Sequence, residues 1–142
     1  MIGEREYETN VTLPAFAKQH LHARGIRTTI VHAADEDKNK FDGLAVLKSA
    51  DLLFVSVRRR SLPQKQLDLV REFVAAGKPV VGIRTASHAF HTKGEHPDGH
   101  AEWQEFDAEV LGGNYHGHRA NGITSELSLA DGVASHPILA GV

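Results

Sequence analysis

The chain has 142 residues, of which 41% are hydrophobic and 24% are charged, and this fits one globular domain with its own hydrophobic core. Its net charge of −2 and its pI near 6.5 give no reason to expect binding to nucleic acid or to an anionic membrane. The chain has no cysteine, which excludes disulfides, thiolate metal sites and cysteine nucleophiles.

The first third of the chain predicts a helix followed by a strand. The helix should begin near Thr12, with Pro14 in its first turn, and end at Gly25. Residues 26–31 alternate and are rich in β-branched side chains, which predicts a strand. A short helix is expected over residues 43–49.

The middle of the chain predicts two buried strands around a helix. Residues 52–57 and 80–83 are apolar runs typical of strands that are buried on both faces. Between them, residues 61–64 (Ser-Leu-Pro-Gln) have the pattern of a capping box that opens a helix, which Gly77 ends. Alternating strands and helices predict parallel βαβ units, so residues 26–31, 52–57 and 80–83 should be parallel neighbours in one sheet.

After residue 83 the pattern changes. Residues 84–90 indicate a turn into a short helix, and residues 91–100 a surface loop. A helix is expected from Trp103 to Leu111, ended by two glycines, and residues 124–129 alternate as a strand would. Six of the ten histidines fall within 31 residues of one another: His88, His91, His96, His100, His116 and His118.

A binding site is expected at the carboxyl ends of the parallel strands, where ligands bind in open α/β sheets. Glu4 and Tyr7 follow the first strand position, and Arg84 stands at the apex of a sharp turn after residues 80–83. Arginine stays protonated and cannot act as a nucleophile, so Arg84 either contacts a ligand or pairs with a carboxylate. The pair His116 and His118 has metal-ligand spacing, but one hydrogen-bonded and one exposed histidine would look the same.

Four segments resemble the ThuA-like (trehalose utilisation) family. They are residues 3–9 (Gly-Glu-Arg-Glu-Tyr-Glu-Thr) with 12–14, residues 78–84 (Lys-Pro-Val-Val-Gly-Ile-Arg), the Trp-Phe-Gly-Gly pattern of 103–113 with the Tyr-His-Gly-His that follows, and residues 136–141 (His-Pro-Ile-Leu-Ala-Gly). The resemblance spans nearly the whole chain. It implies a flavodoxin-like three-layer α/β fold with a parallel sheet, that of class I glutamine amidotransferases without their cysteine.

The resemblance also implies a role in carbohydrate metabolism, on a sugar or a keto-sugar such as a 3-keto glucoside, without glutaminase activity. Many relatives carry His-Gly after the elbow glycine where this chain has Arg84-Thr85, so that histidine's role cannot be transferred. The alternatives are a non-catalytic module that binds a sugar or a partner, and a histidine-based metal-dependent hydrolase. We expect neither a metal nor a cofactor. The candidate acid–base residues are Glu4, His88 and His116, and the candidate substrate-binding residues are Tyr7, Arg84, Thr85 and His118.

The expected partner is a small-molecule carbohydrate, with no nucleic acid and no membrane, and a homodimer is left open. No signal peptide is visible, which makes the cytoplasm the default compartment. Both ends nevertheless look truncated, because only two residues precede Gly3 where a full first strand would lie. We therefore expect a shortened first strand and a C-terminal tail, without a paired strand after Pro137, that has little regular structure.

Overall fold

A computed structural model describes residues 1–4, 6–120 and 122–140 and shows a mixed α/β architecture. Its centre is a three-stranded parallel sheet in the order β1-β2-β4, and a small antiparallel pair joins β3 to β5. The strands are β1 (Ile2–Gly3), β2 (Leu53–Val57), β3 (Leu62–Pro63), β4 (Val80–Gly82) and β5 (His100–Ala101).

The helical elements are mostly short. α1 (Thr9–Phe16) continues into a π-helical turn (Ala17–Leu21) and a 3-10 turn (His22–Arg24), and α2 (Gln64–Ala75) is the longest regular helix among the described residues. None of the described helices is long and apolar enough to cross a membrane. The remaining turns are 3-10 at Leu44–Lys48, Arg84–His88 and Pro137–Leu139, and π at Asp107–Leu111.

Strand β2 organises the core because its side chains alternate between the two faces of the sheet. Leu53, Val55 and Val57 are buried in the same apolar cluster as the α2 side chains Leu67, Val70 and Phe73. On the opposite face, the Ser56 hydroxyl donates a hydrogen bond to the Thr9 hydroxyl of α1. Helices therefore cover both faces of the sheet, which explains why β2 is apolar along nearly its whole length.

Residues 26–31 do not form the predicted strand. The segment runs parallel to β1, but its pairing is limited to one bridge, between Ile2 and His32. Two hydrogen bonds form this bridge: the Ile2 N–H donates to the Val31 carbonyl (2.8 Å), and the Ala33 N–H donates to the Ile2 carbonyl (2.9 Å). β1 lies between this segment and β2, so the two are not neighbours. Because β1 is only two residues long, no strand in the part of the chain that the structure describes lies beside residues 26–30 to accept or donate ladder hydrogen bonds.

Two predicted helix starts are wrong. α1 begins at Thr9, and Thr12 donates its hydroxyl to the Glu8 carbonyl within the first turn instead of capping. Ser61 does not cap α2 either: its hydroxyl is buried without a partner among the described residues. Pairing of β3 with β5 keeps the chain extended through residue 63, so α2 can begin only at Gln64.

The two ends of the chain behave differently from the middle. β1 is short, as expected, and residues 113–136 contain no helix or strand within the part that the structure describes. The strand predicted at residues 124–129 is therefore wrong: alternation alone cannot hold a strand that has no neighbour to pair with. Beyond it, Pro137–Leu139 forms a single 3-10 turn, and no described residue after 137 is in a strand.

Candidate functional site

The loops that follow β1, β2 and β4 meet at the carboxyl ends of the strands. The guanidinium of Arg84, after β4, lies over the ring of Tyr7, after β1, at 4.3 Å from its centroid. Arg58, directly after β2, forms an ion pair with Glu6 at 2.8 Å. These contacts bring three separate loops to one edge of the sheet, as parallel strand order requires.

The Arg84 turn has a backbone conformation that L-residues rarely adopt. Its φ is 55°, and it follows the extended Ile83 and opens the 3-10 turn. The Thr85 hydroxyl, which is buried, donates to the Val57 carbonyl (2.9 Å) and ties the turn to the end of β2. A left-handed residue other than glycine stores strain, and such strain is frequent at ligand sites. No ion pair involves Arg84 among the described residues, so its five N–H donors remain available.

Glu4 is buried, with 3% of its surface exposed, and acts as a support for the Tyr7 loop. One carboxylate oxygen accepts the Thr9 hydroxyl, and the other accepts the Tyr7 backbone N–H at 3.1 Å. The Ser56 hydroxyl completes the chain by donating to Thr9 at 3.0 Å. These bonds replace the water that the carboxylate loses on burial, and they fix the loop whose tyrosine contacts Arg84.

A polar cleft of about 330 Å³ lies beside this edge. The imidazole of His88 stacks on the Tyr115 ring, with centroids 4.7 Å apart, and His116 lines the same cleft. Asp107 holds the covering segment: its carboxylate accepts the Tyr115 N–H (2.8 Å), and its carbonyl accepts the Gly113 N–H (2.9 Å). The two glycines after the Asp107–Leu111 turn thus bring residues 113–116 back over His88.

His88 is neutral at physiological pH. Burial is the main cause that lowers its pKa to about 4, and the positive charges of Arg59 and Arg58 lower it further, while Asp107 acts in the opposite direction. Its Nδ1 lies 3.1 Å from the Ser87 hydroxyl. A neutral imidazole presents one donor and one acceptor nitrogen, so it can accept a proton from a bound ligand.

Of the site residues predicted from the sequence, the structure brings some together and separates others. His88 and His116 line the cleft, and Tyr7 and Arg84 contact each other at the same sheet edge without lining that cavity. Glu4 and Thr85 are buried and hydrogen-bonded inside the protein. His118 is exposed outside the cleft, with its Nδ1 2.8 Å from the Arg119 carbonyl. No group of three His, Asp or Glu side chains in the described ranges could hold a metal ion.

Three residues that line the cleft were not predicted as site residues from the sequence: Arg59, Asp107 and Tyr115. Arg59 lines the cleft, donates its backbone N–H to the His88 carbonyl (3.0 Å) and has φ 49°. Its position just after β2 is a usable signal, but three consecutive arginines look like a solvated loop. Asp107 and Tyr115 carry no local signal, because their roles depend on how the chain turns after residue 111.

Comparison of the chain with family models, curated proteins and solved structures found no match. The geometry and chemistry of this sheet edge are therefore what indicate the function.

Proposed function

We propose that this chain is a flavodoxin-like, ThuA-like domain that binds a sugar or keto-sugar at the carboxyl edge of its sheet, with His88 as the acid–base group. With the bridge at His32 included, the order of parallel segments across the sheet is second, first, third, fourth. That order begins the flavodoxin-like pattern, in which the ligand lies where the order reverses, between the first and third strands. Tyr7 and Arg58 follow those two strands here.

The observation that carries the proposal is a neutral histidine in a polar cleft, with Arg84, which has no ion pair among the described residues, at the same edge of the sheet. His88 supplies a proton acceptor, and the Tyr115 ring fixes its orientation by stacking. Arg84 supplies several N–H donors from a strained turn at the same sheet edge. Donors and acceptors on a partly apolar surface suit a ligand with many hydroxyl groups and one carbonyl.

In a keto-sugar, the proton on the carbon next to the carbonyl is the most acidic one bound to carbon. His88 would accept this proton through its unprotonated ring nitrogen while the electron pair moves to the carbonyl oxygen and forms an enolate. Arg84 would stabilise the negative oxygen, and return of the proton from His88 would complete the transfer. Glu4 would act through Tyr7, whose loop it holds in place, rather than on the ligand.

A non-catalytic sugar-binding module is the second candidate, because one observation favours it. A histidine with a pKa near 4 is a weak base, so the same cleft could bind the sugar without efficient proton transfer. The metal-dependent hydrolase has no such support. Within the described residues, neither His116 nor His118 belongs to a group of three side chains that could hold a metal ion.

Deuterium exchange at the carbon next to the carbonyl of a 3-keto glucoside, followed by NMR, tests the proposal directly. We expect His88→Gln to slow exchange by about 10²–10⁴-fold while ligand affinity, measured by calorimetry, changes less than tenfold. Arg84→Ala should weaken binding roughly tenfold or more, as expected for loss of a charged hydrogen bond. The matched control is His96→Ala, which removes an exposed histidine outside the cleft and should change neither quantity.

Unchanged exchange in His88→Gln would contradict the catalytic role, and unchanged affinity in Arg84→Ala would contradict the location. Tight binding without exchange in the parent protein would favour the non-catalytic module. Ammonia release from glutamine should be absent in every variant, since the chain has no thiol.

A further inference from the structure

A short segment that lines the polar cleft lies between two glycines. Gly112 has φ 70° and Gly117 has φ 150°, backbone conformations that a residue with a Cβ rarely adopts. Three of the residues between them line the cleft, and Tyr115 is one of these. We call residues 112–117 the cleft lid. Because glycines at both ends can absorb large changes in backbone angles, the segment between them can swing toward the cleft or away from it.

The backbone of the cleft lid is held by a single residue, Asp107. The N–H groups of Gly112 and Gly113 donate to the Asp107 carbonyl, the second of them at 2.9 Å. The Tyr115 N–H donates to the Asp107 carboxylate at 2.8 Å. Within the part of the chain that the structure describes, the lid has no other backbone hydrogen bond. A segment with so few bonds opens more readily than a packed core element does.

The bond between Tyr115 and the Asp107 carboxylate requires a glycine at residue 113. A Cβ added to Gly113 would overlap that carboxylate and push it away from the Tyr115 N–H. The φ of Gly113 is not in the left-handed region, so the turn itself does not need a glycine there. The two glycines therefore have separate tasks: Gly112 makes the turn, and Gly113 lets the carboxylate approach.

The cleft lid covers one face of His88. The Tyr115 ring stacks on the imidazole with centroids 4.7 Å apart and planes 27° apart. Atoms in van der Waals contact are about 3.5–4 Å apart, so a sugar ring between the two would need a separation of roughly 7–8 Å. A ligand therefore cannot contact this face of His88 until Tyr115 moves away.

We propose that the cleft lid is a gate for the sugar and that Asp107 is its latch. While the Asp107 carboxylate holds the Tyr115 N–H, the lid covers His88, and when this bond breaks, the lid moves away and the sugar can enter or leave. The identity of the ligand rests on the proposed function, whereas the latch is a property of the free protein. Asp107 is thus a positioning residue, which acts on His88 through Tyr115.

Three variants separate the hydrogen bond of Asp107 from its charge. Asp107→Asn removes the charge but keeps an oxygen that can accept the Tyr115 N–H. Gly113→Ala keeps the charge but displaces the carboxylate, and Asp107→Ala removes both. The backbone carbonyl of residue 107 remains in all three. Glu95→Ala is the matched control, because it removes one negative charge from an exposed residue outside the cleft.

NMR titration of His88 in the free protein tests the latch without any ligand. Burial is the largest cause that lowers the pKa of His88, and the charged or titratable groups that also act on it are Arg59, Arg58, Asp107 and His91. Gly113→Ala and Asp107→Ala should raise this pKa from about 4 toward 6.5, because Tyr115 no longer covers the ring. Asp107→Asn should not raise it, since the bond remains and the lost negative charge had favoured the protonated ring. Hydrogen exchange of the Tyr115 amide should become tenfold faster or more in the first two variants alone.

Stopped-flow measurement of 3-keto glucoside binding tests the gate. Association and release should both be tenfold faster or more in Gly113→Ala and Asp107→Ala, and should change less than threefold in Asp107→Asn and Glu95→Ala.

A His88 pKa that stays near 4 in both Gly113→Ala and Asp107→Ala would overturn the latch. So would an Asp107→Asn variant that behaves like Asp107→Ala, because the charge and not the bond would then be responsible. The expected pKa values with unchanged rates would overturn the gate. A parent protein that binds no sugar would overturn the proposed function and the gate with it, while the titration of the free protein would still decide the latch.

Discussion

Comparing Arg84→Gly with Arg84→Ala should separate the effect of backbone strain on stability from the loss of the guanidinium that we propose binds the ligand. Arg84 holds φ 55° at the apex of the turn after β4, a conformation that glycine adopts without strain and alanine does not. Both Arg84→Gly and Arg84→Ala remove the guanidinium from the Tyr7 ring, so both lose the same contact. The comparison between the two variants therefore isolates the backbone strain of this turn.

The expected difference can be estimated from its two parts. Left-handed backbone costs a residue with a Cβ roughly 1–2 kcal/mol, while glycine pays about 0.5–1 kcal/mol in extra unfolded-state entropy. Arg84→Gly should thus be more stable than Arg84→Ala by about 0.5–1 kcal/mol, which corresponds to about 2–3 °C in Tm for a chain of this size. Both variants should bind the keto-sugar more weakly than the parent.

Urea denaturation and calorimetry of the two variants measure this difference. The exposed α2 residue Glu72 provides the control, since Glu72→Gly should be less stable than Glu72→Ala by about 1 kcal/mol. The glycine variant should therefore have the higher free energy of unfolding at position 84, and the alanine variant the higher one at position 72. An Arg84→Ala variant as stable as Arg84→Gly, or more stable, would refute the strained turn.

Three further outcomes follow from the structure. By NMR, His88 should stay neutral down to about pH 4, and Tyr115→Ala should raise its pKa toward 6.5 by exposing the ring; an unchanged pKa would contradict burial as its cause. Because the folded pKa lies below the unfolded value, this neutral ring contributes stability above about pH 6.5 that is lost as the pH falls through 4. Thr9→Val should cost about 1–3 kcal/mol in urea denaturation, since it removes a donor from the buried Glu4 carboxylate, and a neutral effect would show that water replaces the hydroxyl. Gly82→Ala should cost about 1–3 kcal/mol, because its methyl would lie 2.8 Å from a leucine side chain, and an unchanged Tm would mean that this side chain moves freely.

The sequence predicts well those elements whose signal is local. β2, β4 and α2 lie where their apolar patterns place them. β2 and α2 bury the side chains that define the pattern, but β4 does not, because Val81 is 39% exposed and the expectation of a strand buried on both faces is wrong there. The turn at Arg84 was also predictable, since a strand followed by Gly-Ile-Arg-Thr and a helical run requires a sharp change of direction. Parallel direction follows from the alternation of strands and helices, and the three predicted segments share it.

Features that depend on a distant partner could not be predicted. Residues 26–31 and 124–129 have strand patterns, yet a strand forms only where another lies beside it. The start of α2 depends on pairing between β3 and β5, which are separated in the chain by α2, β4 and the segment that follows β4. In the site, the position of Tyr115 against His88 depends on hydrogen bonds that the backbone N–H groups of Gly113 and Tyr115 donate to Asp107, closing a loop after residue 111.

A structure of the protein bound to a 3-keto glucoside tests the central claim most directly. We expect the sugar at the carboxyl edge of the sheet, with its carbonyl oxygen within hydrogen-bond distance of Arg84 and the adjacent carbon facing His88. A sugar bound on any surface away from His88 and Arg84 would contradict the account.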